Sequence, residues 1–94
     1  MMGTDEFVKA AKTAIKRAFA DMTDPTDHGK LKDENIYFVT CTYVLGNVKG
    51  LFSTSIQDGK YYEVTYDANE KIMYVDCYVR LGQTIHDLKN AMSE

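Results

Sequence analysis

Ninety-four residues carry eleven Lys and Arg against fourteen Asp and Glu, a net charge of −3, with 45% apolar residues and a single proline. That mixture excludes a disordered chain, and its acidic balance disfavours nucleic acid, which selects for a clustered basic excess. No run approaches the ~20 apolar residues of a membrane span, so no membrane partner is expected. One domain over residues 1–94 fits the length. The start, Met1 to Glu6, is acidic where a signal peptide is basic and then apolar, which points to the cytoplasm. Cys41 and Cys77 form no CxxC pair and suit a reducing compartment.

The first element is a helix over residues 5–22. Phe7, Val8, Ala11, Ala14, Ile15, Ala18, Phe19 and Met22 recur at the spacing of one buried stripe. Lys9, Lys12, Lys16 and Arg17 fall largely off it, and a solvated face explains them better than a phosphate-binding one. Thr4 is the expected N-cap, with Asp5 and Glu6 at the positive end of the helix dipole. Asp24-Pro25 closes the helix, because a residue before proline avoids the α region.

A polar connection, TDPTDHGKLKDE, follows over residues 23–34. Asp21, Asp24, Asp27 and His28 are close in sequence, but their spacing matches no calcium loop, whose ligands alternate. Turn and capping chemistry accounts for them. No metal site is expected.

Residues 35–81 are rich in Val, Ile, Tyr, Phe and Thr, the composition of strands. Turn signals at Gly46-Asn47, Asp58-Gly59 and Asp67-Ala68-Asn69-Glu70 divide them. The division predicts an antiparallel meander of strands at about residues 35–45, 48–57, 60–66 and 71–81. Gly82 ends the last strand. Thr84, with Asp87 three residues on, then opens a short helix over residues 84–93 carrying Ile85, Leu88 and Met92. The fold class is α+β, in the order α-β-β-β-β-α.

Two-residue turns fix register, and register fixes faces. Pairing outward from Gly46-Asn47 sets Tyr43 opposite Gly50, Cys41 opposite Phe52 and Tyr37 opposite Ile56. Carried through the later turns, it gathers Tyr37, Tyr43, Phe52, Tyr61, Glu63, Thr65, Tyr74, Asp76, Tyr78 and Arg80 on one face. The other face collects Phe38, Val44 and Leu51 with Tyr62, Val64, Tyr66, Met73, Val75, Cys77, Val79 and Leu81. The long helix is expected over the Val64, Val75 and Val79 side. Both faces are then partly apolar. That requires a second cover (the C-terminal helix, a second copy or a partner) or a bulge that switches faces. Cys41 and Cys77 fall on opposite sides in this register, which favours two buried thiols over a disulfide.

No constellation meets the needs of catalysis. A thiol–imidazole pair would draw on His28 or His86, yet both cysteines sit mid-strand without a helix N-terminus or clustered cations to activate them. Glu63 and Asp76 share a face but lack an enclosing cleft for glycoside chemistry. The glycines make no dinucleotide or phosphate-loop spacing, so no cofactor is expected. The chain is read as a non-enzyme.

The tyrosines carry the functional reading. All seven lie between Tyr37 and Tyr78, and there is no tryptophan. Tyrosine supplies large, rigid contact area with a polar tip. Tyr37, Tyr43, Phe52, Tyr61, Tyr74, Asp76, Tyr78 and Arg80 are the candidate binding residues. Packing against a helix or across strands explains the same rings. Three uses of the face are weighed: a protein partner, a homodimer, and an aromatic ligand such as a nucleotide held by Tyr and Arg80 at a dimer seam.

The hairpin from Ser53 to Tyr66, with its DG and YYEVTY segments, and the strand Tyr74-x-Asp76-x-Tyr78 carry a resemblance. Over residues 5–80 the chain resembles an uncharacterised family of small proteins borne by phages and prophages of Gram-positive bacteria. The segment after Gly82 is less typical of it. The resemblance brings no catalytic residues. It implies a setting, the bacterial host cytoplasm, and a task, binding and redirecting a host protein such as a defence factor.

Overall fold

The computed structural model describes residues 3–24, 26, 31–56 and 59–87. Helix α1 (Thr4–Met22) is followed by a 3-10 turn at Asp33–Asn35. Strands β1 (Ile36–Val44), β2 (Asn47–Thr54), β3 (Lys60–Asp67) and β4 (Ile72–Val79) then form one antiparallel sheet in the order β1-β2-β3-β4. The expected meander is observed.

The helix lies on one face of the sheet. Its stripe of Phe7, Ala11, Ile15 and Phe19 is buried against Leu31, Ile36, Val48, Phe52, Tyr62 and Val64. Each large side chain in that set contributes about 1.5–3 kcal/mol through burial. Met22, at the end of the predicted stripe, is 47% exposed. Gly3 rather than Thr4 occupies the N-cap position. The Thr4 hydroxyl instead meets the Tyr43 hydroxyl at 2.7 Å, tying the start of α1 to β1. At the other end the Thr23 hydroxyl donates to the Phe19 carbonyl at 2.7 Å.

Short bonds pin the segment that leads into the sheet. Lys16 Nζ stands 2.6 Å from Asp33 Oδ1. Asn35 exchanges contacts with Ser55, its carbonyl accepting the Ser55 N–H at 2.9 Å and its amide donating to Ser55 Oγ at 3.0 Å. Asp27 and His28 lie outside the described residues.

The turns depart from expectation, and the departure decides the faces. The first hairpin reverses at Leu45 and Gly46, with φ of 48° and 86°, not at Gly46-Asn47. Positive φ at both positions is the signature of a type I′ turn. β2 then ends at Thr54, and Ser53 pairs with Tyr61. Residues 55–59 form a longer connection than the predicted two-residue Asp58-Gly59 turn, and Gln57 and Asp58 lie outside the described residues. The change is by an odd number of residues, so β1 and β2 turn over relative to β3 and β4. The cause is burial. This register, unlike the predicted one, sets Val48 and Phe52 on the same face as Tyr62 and Val64, giving one helix one apolar floor. Burying Phe52 and Val48 at about 1.5–3 kcal/mol each outweighs a tight turn's local preference.

The third turn shifts by an even number, with Asp67 opposite Ile72, and leaves the second hairpin's faces as predicted. A bulge at Val39 breaks the β1 register between Phe38 and Thr40 and swaps the faces of the residues before it. Cys41 and Cys77 are both free and half-buried. Contrary to expectation they share the helix face, on the two outermost strands. Three strand spacings of ~4.8 Å hold them beyond disulfide reach.

The predicted C-terminal helix is not seen. Residues 84–87 are non-helical, and the remainder of 84–93 lies outside the described residues. Among the described residues no helix is long and apolar enough to cross a membrane.

Candidate functional site

The face opposite α1 is ordered in rows. The first crosses all strands as Tyr37, Ser53, Tyr61 and Tyr78. The second runs Thr40, Leu51, Glu63, Asp76, and the third Thr42, Lys49, Thr65, Tyr74. Val44, Asn47, Asp67 and Ile72 complete the sheet. Among the described residues no element packs across these rows.

Tyr37, Tyr61, Tyr74 and Tyr78 are exposed, by 53, 39, 52 and 41% respectively. Alternation along each strand places them here, and their face is set by what the helix takes on the other side. Tyr61 and Tyr78 are stacked, with ring centroids 5.2 Å apart and planes 15° from parallel. Such a pair adds about 0.5–1.5 kcal/mol beyond its buried area.

The next row is charged. Glu63 and Asp76 stand directly opposite each other, an arrangement that is destabilising without a cation. Lys49 provides one, its Nζ 3.4 Å from Glu63 Oε1. Glu63 also acts on the tyrosine row, since its charge is the main cause holding the Tyr78 phenol above its ordinary value. Desolvation and Asp76 add to the rise, and Lys49 opposes it. The face thus sets phenols beside an acidic pair.

Arg80 follows β4, with its N–H donating to the Gly59 carbonyl at 2.8 Å. A cleft of about 610 Å³ opens there, lined by Ser53, Thr54, Ile56, Lys60, Tyr61 and Arg80.

Two candidate residues fall elsewhere. Phe52 is fully buried beneath α1, its ring 6.1 Å from Phe7 and 5.5 Å from Phe38. Tyr43 lies on the helix face too and spends its hydroxyl on Thr4. The odd register change moved both. Tyr37 escapes because the bulge at Val39 swaps its side a second time. Leu51 and Val44 join the open face contrary to expectation, and Ile72 lies there as the alternation along β4 requires. The signal that could have found them was the conflict itself, two apolar faces with one long helix to cover them.

Among the described residues no group of three or more His, Cys, Asp or Glu side chains is placed to hold a metal ion. The model of a family of unknown function, DUF6275, matches residues 8–88. No curated protein and no solved structure matches the chain.

Proposed function

The chain belongs to this family of unknown function, and we propose that it is a small non-enzymatic interaction protein whose open sheet face docks on a protein partner. One observation carries the reading: four exposed tyrosines, Tyr37, Tyr61, Tyr74 and Tyr78, share the face that α1 leaves bare. Rigid phenols lose little conformational freedom on binding and offer both apolar area and hydroxyls. Glu63 and Asp76 beside them suit a basic group on the partner at the centre of contact. The resemblance to phage- and prophage-borne proteins of Gram-positive bacteria makes a host protein in the bacterial cytoplasm, such as a defence factor, the partner class. The test is capture from host lysate with immobilised wild-type chain and with Tyr61→Ala/Tyr78→Ala. A partner held by the first and lost by the folded second supports the reading, and equal capture by both contradicts it.

The cleft at Arg80 favours a second reading. Tyr61 offers a ring and Arg80 a cation to an aromatic anion such as a nucleotide. A nucleotide panel that raises the melting temperature of the wild type but not of Arg80→Ala supports it.

A further inference from the structure

Outer strands present unpaired backbone groups, and the two edges of this sheet differ. β1 is interrupted by its bulge at Val39. β4 runs in unbroken register with β3 and contains no proline or basic residue. Gly59 and Arg80 continue that register by one step, and there the Arg80 N–H bonds to the Gly59 carbonyl. Bonded and non-bonded pairs alternate along an antiparallel ladder. Tyr78, Asp76 and Tyr74 therefore bond inward to β3. Met73, Val75, Cys77 and Val79 point their N–H and C=O groups outward, and among the described residues no backbone bond reaches them from another segment.

We propose that this edge pairs with β4 of a second copy, antiparallel about a two-fold axis at Val75. The outward groups belong to odd-numbered residues, so odd must face odd. Two such registers align most of the strand, one centred on Val75 and the other on Asp76. Centring on Asp76 sets it against the partner's Asp76, and like charges directly opposite destabilise a sheet. Centring on Val75 sets Asp76 beside the partner's Tyr74 and Tyr78 beside the partner's Ile72. On the helix face it sets Met73 beside the partner's Cys77. Charge selects the Val75 register.

The helix side reinforces the choice. A groove of about 450 Å³ runs between α1 and β4, lined by Ala10, Ala14, Ala18, Met73 and Val75 together with Thr13, Arg17 and Asp21. In the pair this groove faces its copy across the axis. Half-buried Met73, Val75 and Cys77 gain cover. The product is one continuous sheet with both helices on one face and both tyrosine faces joined on the other. This inference does not depend on the partner reading above. It adds that any docking surface is presented twice, with the gain in avidity that follows.

Light scattering after size exclusion tests it, with an expected mass of about twice 10.7 kDa. Val75→Pro removes an N–H that makes no bond within the chain, so a folded monomer is expected. In a Cys41→Ala/Cys77→Ala background, Val75→Cys should form a disulfide-linked dimer on mild oxidation, and Asp76→Cys should not. A monomeric mass up to millimolar concentration overturns the proposal, as does a folded Val75→Pro variant that stays dimeric. Linkage through Asp76→Cys alone overturns the register. Should the proline variant fail to fold, the cysteine variants decide the question. Loss of partner capture by Tyr37→Ala/Tyr61→Ala, neither on β4, at unchanged mass separates docking from self-pairing.

Discussion

The ring of Phe7 occupies the space that a side chain at Gly50 would need: a Cβ built there comes within 2.6 Å of Phe7 Cε2 and 2.9 Å of Cζ. The Phe7 ring thus covers β2 at Gly50, between Val48 and Phe52. Gly50→Ala should cost about 1–3 kcal/mol, because Phe7 is fully buried and has nowhere to retreat. Phe7→Leu in the same chain should recover part of the loss. Urea unfolding of the three variants checks both.

Phe52 and Tyr74 are both candidate binding residues by sequence, and the structure separates them. Phe52→Ala empties a fully buried site and should cost about 3–5 kcal/mol, a large share of a small domain's stability. Tyr74→Ala lies on the open face and should stay within about 1 kcal/mol of wild type. Near-equal shifts in the unfolding midpoint would contradict the assigned faces.

Leu45 holds φ at 48° while 94% exposed. A left-handed conformation costs a branched residue about 1–2 kcal/mol, and no packing repays it there. Leu45→Asn creates an Asn-Gly type I′ turn and should stabilise the chain by about 1 kcal/mol. The change leaves the open tyrosine rows untouched, so partner capture should be unaffected.

Two titrations have a defined sign. Tyr78 is held above the ordinary phenol value chiefly by Glu63. A group raised on folding contributes stability that is present below its unfolded value, ~10 for tyrosine, and is lost as pH rises through the folded value. Glu63→Gln should lower the Tyr78 midpoint, seen as an earlier phenolate absorbance rise that Tyr78→Phe removes. Asp33 is held below the ordinary carboxyl value first by its hydrogen bond with Lys16. Its contribution is present above the unfolded value, ~3.9, and is lost as pH falls through the folded one. Lys16→Met should flatten that acid limb in thermal melts below about pH 4.

The fold was legible where periodicity was long. Phe7, Ala11, Ile15 and Phe19 announce α1, and the alternation from Lys60 to Val79 puts Tyr61, Tyr74, Asp76 and Tyr78 together without any structure. The side that the first hairpin turns to the helix was not legible. The Asp58-Gly59 signal argues for a tight turn at a fraction of the energy that Phe52 gains beneath the helix, and nothing local reveals that competition. The bulge at Val39 leaves no mark in composition either. Tyr37 reached its predicted face through two face changes that cancel, whereas Tyr43 and Phe52 underwent one.

The exposure of one tyrosine set and the burial of Tyr62 can be measured together by hydroxyl-radical footprinting with mass spectrometry, on the free chain and on its complex with a captured partner. In the free chain Tyr37, Tyr61, Tyr74 and Tyr78 should oxidise readily and Tyr62, 1% exposed, should resist. On binding, protection should appear at Tyr61 and Tyr78 and leave the outer side of α1 unchanged. Ready oxidation of Tyr62 in the folded chain, or protection confined to the helix, would contradict the account.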